Sequence, residues 1–507
     1  MVTATYQARV SWVGGTAFTG TTDDVTNYLL HAEWSRGRQF AHQLLGKALA
    51  GQCFLYLNND GGTFSTQNSA SPLTGSLLPG RTVEIRTTSP STTVLWRGVV
   101  ENIENRISIN NDHQAILKCI GPLGYINQRK VRIPMSVDIR TGSAIGSILD
   151  DIGWPAGDRS IDAGQTVMTR FWVELKPALD AMREIEASES GYLGEARDAK
   201  IVFEDRDHRL SGTHISSQAT YTDNPSGTLF FTMIQQDDPL KAIYNDFEAE
   251  VRTYGTLATQ TLWALSDTGA NARVYGGGTF TVVASYPFGN PTATLGAVAV
   301  ASWTSLSATA DWNVTSDAAG TGSVLNADVV ATYIATYGQS AEIRITNNAT
   351  VTGYIQKLAP RGVPIIEGNK NRVRTQSTTS QADYGRRTFT NPGDWIPNVI
   401  EAADWGGFNV AIYSTPFQIF HVTLNANRDS AHMTEVLARD ISDLVTLNAT
   451  GRSDLGFSNI FFVEHEHHRL SDDRVHWVTY DLSLATGYGG FWVLNTSELG
   501  TRTRLGY

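Results

Sequence analysis

Apolar and polar positions alternate along the first quarter of the chain. The runs at 28–38, 52–57, 82–86, 94–100 and 115–120 each carry this two-residue period, which places one face of a strand in a core and the other toward water. Asn58-Asn59-Asp60-Gly61-Gly62 is a strong turn signal, and 108–112 (SINND) reads as a hairpin turn. The stretch 71–79 is a loop of small residues before Leu77-Leu78-Pro79-Gly80 leads back into a strand. The pattern predicts a small antiparallel barrel or sandwich over 1–130.

Past Pro134 the period changes. Ala144, Ile145, Ile148, Leu149 and Ile152 are spaced for a helix over 143–152, ended by Gly153. Leu179, Met182, Ile185 and Glu186 mark a second helix over 177–188, broken at 191–194 by Gly191-Tyr192-Leu193-Gly194. A strand at 200–204 closes on the charged turn 205–209, which completes a small α/β unit over 131–215. Strand alternation returns over 216–255, with Phe247, Ala249 and Val251 on one face and Glu248, Glu250 and Arg252 on the other. Between 256 and 340 charge nearly vanishes and Thr, Ala, Gly and Ser dominate, with a helix-like piece at 327–337. The segments 342–346 and 351–358 read as a hairpin that echoes 84–87 and 94–96. The polar stretch 370–380 reads as a mobile loop. Helices are expected at 394–403 and 432–441, and strands at 446–447, 460–463 and 475–484. The fold class is mainly β with α+β parts. The divisions are 1–130, 131–215, 216–255 as the start of a second β unit, 256–375 as a β-rich insertion, and 376–507 as an α/β segment with closing strands.

Composition narrows the function. Net charge is −11 and charged residues are 18%, below the usual ~25%. No long basic run exists, so dedicated sequence-specific DNA binding is not expected. The N-terminal MVTATYQARVSW lacks the basic head and apolar core of a signal peptide, and the apolar stretch 295–303 is too short to cross a bilayer, so assembly in a cytoplasm is expected. Cys53 and Cys119 both fall in alternating apolar runs and read as reduced, buried small hydrophobes.

The candidate chemistry is sparse. His465 and His467 share a strand face beside Glu464 and Glu466, but H-E-H-H lacks the third ligand and the helical H-E-x-x-H spacing of catalytic zinc. A polar strand end beside Ser471-Asp472-Asp473 is the simpler reading. Glu195 and Asp205 read as solvated or paired carboxylates. Asp150-Asp151 and Asp472-Asp473 are adjacent pairs, which point in different directions and cannot act as a dyad. No phosphate loop, nucleophile elbow or C-x-x-C is present. No catalytic, cofactor-binding or metal-binding residue is therefore assigned, no cofactor is expected, and the chain is not expected to be an enzyme. Twelve tryptophans, several beside glycine as in Gly153-Trp154, suit anchors at permanent interfaces or stacking on sugars.

The order of words "WSRGR…AGQCFLYLNNDGGTFS…SPL…LLPGRTVEIR…LWRGVVENI" resembles the start of minor tail proteins of long-tailed phages, especially actinobacterial ones. "ALDAMREIEASESGYLGEARDAKIVFEDRDHR" and the stretch 443–485 are similar to the tail-hub proteins of contractile phage baseplates. The stretch 256–330 resembles nothing of the kind. The resemblance implies two hub-type β-barrels, the first at 1–130 and the second begun at 216–255 and closed within 376–507. It also implies a homotrimer in which three chains present six barrels to a hexameric tube. The partners it implies are a distal tail or tail-tube protein, the tape measure protein, and tail-tip or fibre proteins, with DNA passing through the lumen unbound. The place it implies is the distal tip of a virion tail, with a role in host entry and genome ejection. A receptor- or carbohydrate-binding tail protein, with 256–340 as the reader, is the alternative.

Overall fold

The computed structural model describes residues 4–38, 47–108, 113–237, 240–287, 296–416, 418–452 and 455–485. Its main element is a 13-stranded sheet. The first six strands are β1 (Thr5–Val10), β2 (Leu29–Arg38), β3 (Ala48–Asn58), β4 (Thr82–Ser89), β5 (Thr93–Ile107) and β6 (His113–Ile120). They pair antiparallel in the order β1-β4-β5-β6-β3-β2. The expected turn at 108–112 lies outside the described residues except for Ser108. The remaining strands are β7 (Ala219–Thr222), β8 (Leu229–Phe230), β9 (Met233–Asp237), β10 (Ile419–Asn425), β11 (Leu444–Ala449), β12 (Phe457–Leu470) and β13 (His476–Leu484).

Among the described residues the two β units share one sheet. The 14-residue strand β12 joins them. One edge of β12 pairs with β11 through Phe457–Phe462 and then with β2 through His465–Leu470. Its other edge pairs with β13, which continues through β10 to β9. On the β11 side, β7 and β8 add in parallel. The two branches approach each other at Phe231-Thr232, whose amides donate to Thr222 O (3.0 Å) and Thr423 O (2.8 Å). No ring of strand pairings closes among the described residues. The physical reason is the length of β12: a strand this long has room for two partners on one edge, so the expected gap between units becomes a continuous ladder.

The α/β unit fills the angle beneath this junction. Helix Thr141–Asp151 and helix Ala178–Glu189 bury the apolar stripe that their spacing predicts, including Ile145, Ile148, Met182 and Ile185. Strands Lys130–Arg140 and Val167–Pro177 pair with each other, and Tyr192–Glu195, Ile201–Glu204 and Arg159–Ile161 form a small sheet. One apolar core runs from the first strands through this unit into β10–β13.

The segment 254–367 has a core of its own, built on Val274, Trp312, Val314, Ile343, Ile345 and Ile355. Three readings of this region change. Residues 327–337 are not helical: Val329–Thr336 is a strand. Ser340–Asn347 and Gly353–Leu358 do not pair with each other but belong to different sheets, so the echo of the β4–β5 hairpin is lost. Residues 370–380 are not a loop, because Asn371–Gln376 pairs with Asp246–Val251 and Thr378–Tyr384 is a helix. Further on, the helix expected at 394–403 runs Val399–Tyr413, and the one expected at 432–441 runs Ser430–Ala438.

The ends of 254–367 meet, since the Gly368 amide donates to Thr253 O at 2.8 Å. The segment leans on the α/β unit through Arg132–Glu342 (2.8 Å) and through Ser340 Oγ, which donates to Glu174 at 2.8 Å. Excising 254–367 and closing the gap with a short glycine linker is expected to leave the remainder folded, with cooperative unfolding retained. A remainder that is insoluble, or that lacks a thermal transition, would show that this segment is integral to the main core.

Candidate functional site: the buried junction of the sheet

Period-two alternation places Ala32, Trp34, Arg36 and Arg38 on one face of β2, and that face is buried. The same rule puts Glu464, Glu466, His468 and Leu470 on the buried face of β12. Two rows of charge therefore meet where β2 pairs with β12, in the register Trp34 opposite His468 and Arg36 opposite Glu466. Gly37 sits between them at φ +111°, and a Cβ there would lie 2.3 Å from Glu464 O, so the close approach requires glycine.

The charges are paired. Arg36 Nε donates to Glu466 at 2.6 Å, its Nη2 pairs with Asp440, and its Nη1 donates to Glu195 O at 3.2 Å. Arg209 grips Glu464 with both terminal nitrogens, Nη2 at 2.8 Å, and also donates to Ser442 Oγ at 3.1 Å. Arg38 stacks on Tyr192 at 4.4 Å and reaches Glu464 at 3.7 Å. Arg439 holds Glu435 at 2.7 Å and Asp443 at 2.9 Å, and Tyr221 donates to Glu435 at 2.8 Å. Burial pushes the Glu466 carboxyl up, but Arg36 and His468 outweigh it and hold the group well below the usual carboxylate range. Forked arginine–carboxylate pairs of this kind fix geometry as well as charge. The arrangement locks the two halves of the sheet to the α/β unit, which supplies Glu195, Arg197, Glu204 and Arg209.

Glu195 is not a solvated carboxylate. It is buried, accepts from the amides of Gly51 and Leu123 (3.2 Å to the latter), and burial raises it to about 7 against those bonds and the charges of Arg36 and Arg183. Asp205 is half-buried and accepts from Gln165 at 2.9 Å. The three strand histidines separate. His465 faces Asp481 at 3.3 Å, which also holds His421 at 2.5 Å, while His467 is exposed and His468 is buried. No group of three or more His, Cys, Asp or Glu side chains among the described residues is arranged to hold a metal. Asp150 pairs with Arg159 at 2.8 Å and Asp151 accepts from the Arg132 amide. Cys53 and Cys119 are free, buried and directly opposite across β3–β6. No helix among the described residues is long and apolar enough to cross a membrane.

Sequence reasoning missed Arg36, Arg209, Glu464 and Glu466 as a set. The signal was present in the phase of the strands: Arg36 shares parity with Ala32 and Trp34, so it had to point inward.

No protein-family model matches the chain, and no curated protein matches it by sequence. Among solved structures it is similar to the tail protein from Neisseria meningitidis MC58, at 7% identity and a TM-score of 0.49, covering 95% of this chain and 96% of that one. It is also similar to the 43 kDa tail protein of prophage MuSo2 from Shewanella oneidensis, at 9% identity and a TM-score of 0.48, covering 95% and 99%. A third is prophage tail protein gp18 from Listeria monocytogenes EGD-e, at 8% identity and a TM-score of 0.41, covering 94% of each.

Proposed function

We propose that the chain is a structural tail-hub protein at the distal end of a phage tail. Three copies form a ring that joins the tail tube or distal tail protein to tip proteins and fibres, around the path of the tape measure and DNA. The observation that carries this reading is the single sheet with two halves, β1–β6 and β7–β13, fused by β2–β12. If each half acts as one barrel-like repeat, three chains present six repeats, which matches a six-fold tube without a six-copy protein. The word order of 34–103 supports the same reading. So does the buried junction, because two repeats rigidly fixed to one another suit a load-bearing ring better than two tethered modules do. The reading gives the protein no catalytic step.

The test is the copy number of the protein in assembled tails, from quantitative mass spectrometry against the tube protein or from the symmetry of images of the tip. Three copies are expected. Ring closure requires the tube as template in this reading, so the isolated chain is free to be monomeric. One copy or six copies per tail overturns it.

A further inference from the structure

The junction also holds a line of buried polar groups that runs on from the arginine-paired Glu466. Tyr6 Oη on β1 lies 2.9 Å from His476 Nδ1 on β13. His476 Nε2 lies 2.9 Å from His468 Nδ1 on β12. His468 stacks on Trp34 of β2, with ring centres 5.0 Å apart and planes 7° apart, and its Nε2 is 3.5 Å from Glu466 Oε2. Tyr6, Trp34, Glu466, His468 and His476 are all buried. The line therefore crosses from the first half of the sheet to the second at the one place where, among the described residues, strands of the two halves pair.

Its proton count is tightly limited. When Tyr6 donates to His476 and His476 donates to His468, the remaining N–H of His468 is on Nε2, 3.5 Å from Glu466 Oε2 and not hydrogen-bonded to it, and both imidazoles are neutral. One added proton is accommodated on His476 if the Tyr6 hydroxyl turns to Met433 Sδ, 3.9 Å away. A second added proton would set N–H against N–H across the 2.9 Å contact between the two rings. The surrounding groups do not favour extra positive charge. Arg36 of β2 and Arg197, from the turn after Glu195, both flank Glu466, and Tyr480 of β13 meets His468 edge-on with ring centres 6.5 Å apart. Burial lowers both imidazoles, His476 further, with Arg197 acting in the same direction and Glu466 against it.

We propose that the Tyr6–His476–His468–Glu466 line is an acid-labile latch, and that acidification opens the β2–β12 seam ahead of the rest of the sheet. An opened seam frees two imidazoles to titrate near their ordinary value of about 6.5, whereas the closed seam accepts one proton at most. The closed state binds fewer protons, so its stability is full above that pH and falls as the pH drops. A difference of one to two protons makes the opening equilibrium grow at least about tenfold per pH unit.

Hydrogen exchange of the full chain, read by mass spectrometry between pH 7.5 and 5, tests this. After correction for intrinsic exchange, amides of 32–37 and 465–470 are expected to lose protection at least about tenfold per pH unit below pH 6.5, while the β3–β6 ladder stays flat. In the double variant H468Q/H476Q the seam's pH dependence is expected to disappear. Seam and control losing protection in parallel, or the variant keeping the wild-type slope, overturns the latch. If the variant does not fold, nitrogen-15 histidine spectra of the wild-type chain decide. His468 and His476 remaining neutral at pH 6 supports the latch, and both titrating at their ordinary value with unchanged protection overturns it.

Discussion

Replacing Arg36 with leucine is expected to cost about 3–5 kcal/mol, the range for stripping one partner from a buried ion pair. Arg36 is 3% exposed and Glu466 is fully buried. Removing the guanidinium leaves Glu466 with His468 at 3.5 Å and Arg197 at 3.8 Å, both beyond hydrogen-bond distance. Asp440 loses the same partner but is 46% exposed at its side chain, so water replaces the contact there. The cost therefore falls on Glu466. Urea unfolding at pH 7 measures it. The double variant R36L/E466Q is expected to recover a large part of the loss, because the stranded charge is gone. A loss under about 1 kcal/mol for R36L alone would mean that the junction hydrates freely and is not the clamp described above.

How much of this fold is legible in the sequence depends on where each strand finds its partner. The first six strands alternate cleanly and pair with near neighbours in the chain, so period and turn residues suffice. The α/β helices are legible for the same reason, since their apolar stripes face a nearby core. The failures are non-local. Residues 327–337 look helical because alanines interrupt them, yet Val329, Val330, Thr332, Ile334 and Thr336 favour a strand once Ser340–Asn347 is there to pair with. Residues 371–376 look like a polar loop because Arg372 and Arg374 are bare of acids locally. Their partners, Glu250 at 2.8 Å and Asp246, lie on a strand 120 residues or more away.

The junction shows the same limit in a sharper form. Composition treats Arg36, Arg209, Glu464 and Glu466 as surface residues, because each is charged and costly to bury alone. Strand phase says the opposite for Arg36, Arg38, Glu464 and Glu466, and phase is right because each charge meets an opposite one. The conflict between composition and phase was the usable signal. What no local reading supplies is the pairing of β2 with β12, which joins residues more than 400 positions apart.

Glu195→Gln is expected to change stability with a definite sign of pH dependence. Gly51 and Gly121 form a cradle so close that a Cβ at either would lie 2.0 Å from Glu195 Oε1. Within that cradle the carboxyl titrates at about 7, raised by burial from an ordinary value of 4.5. The native state therefore holds this proton more tightly than the unfolded chain between pH 4.5 and 7. The resulting stability is fully present below pH 4.5 and is lost as the pH rises through 7. The span corresponds to about 3 kcal/mol. Glutamine carries no such charge, but its amide presents N–H where one of the two backbone donors needs an acceptor, at a cost of about 1–3 kcal/mol. E195Q should thus be clearly less stable than wild type at pH 5 and close to it, or more stable, at pH 8. Taking the difference between the two proteins removes the opposite trend of the buried histidines, which both share. Urea midpoints at several pH values give the result directly. A difference that stays constant from pH 5 to 8 would mean that Glu195 is ionised throughout and that the amides of Gly51 and Leu123 hold its charge fully against burial.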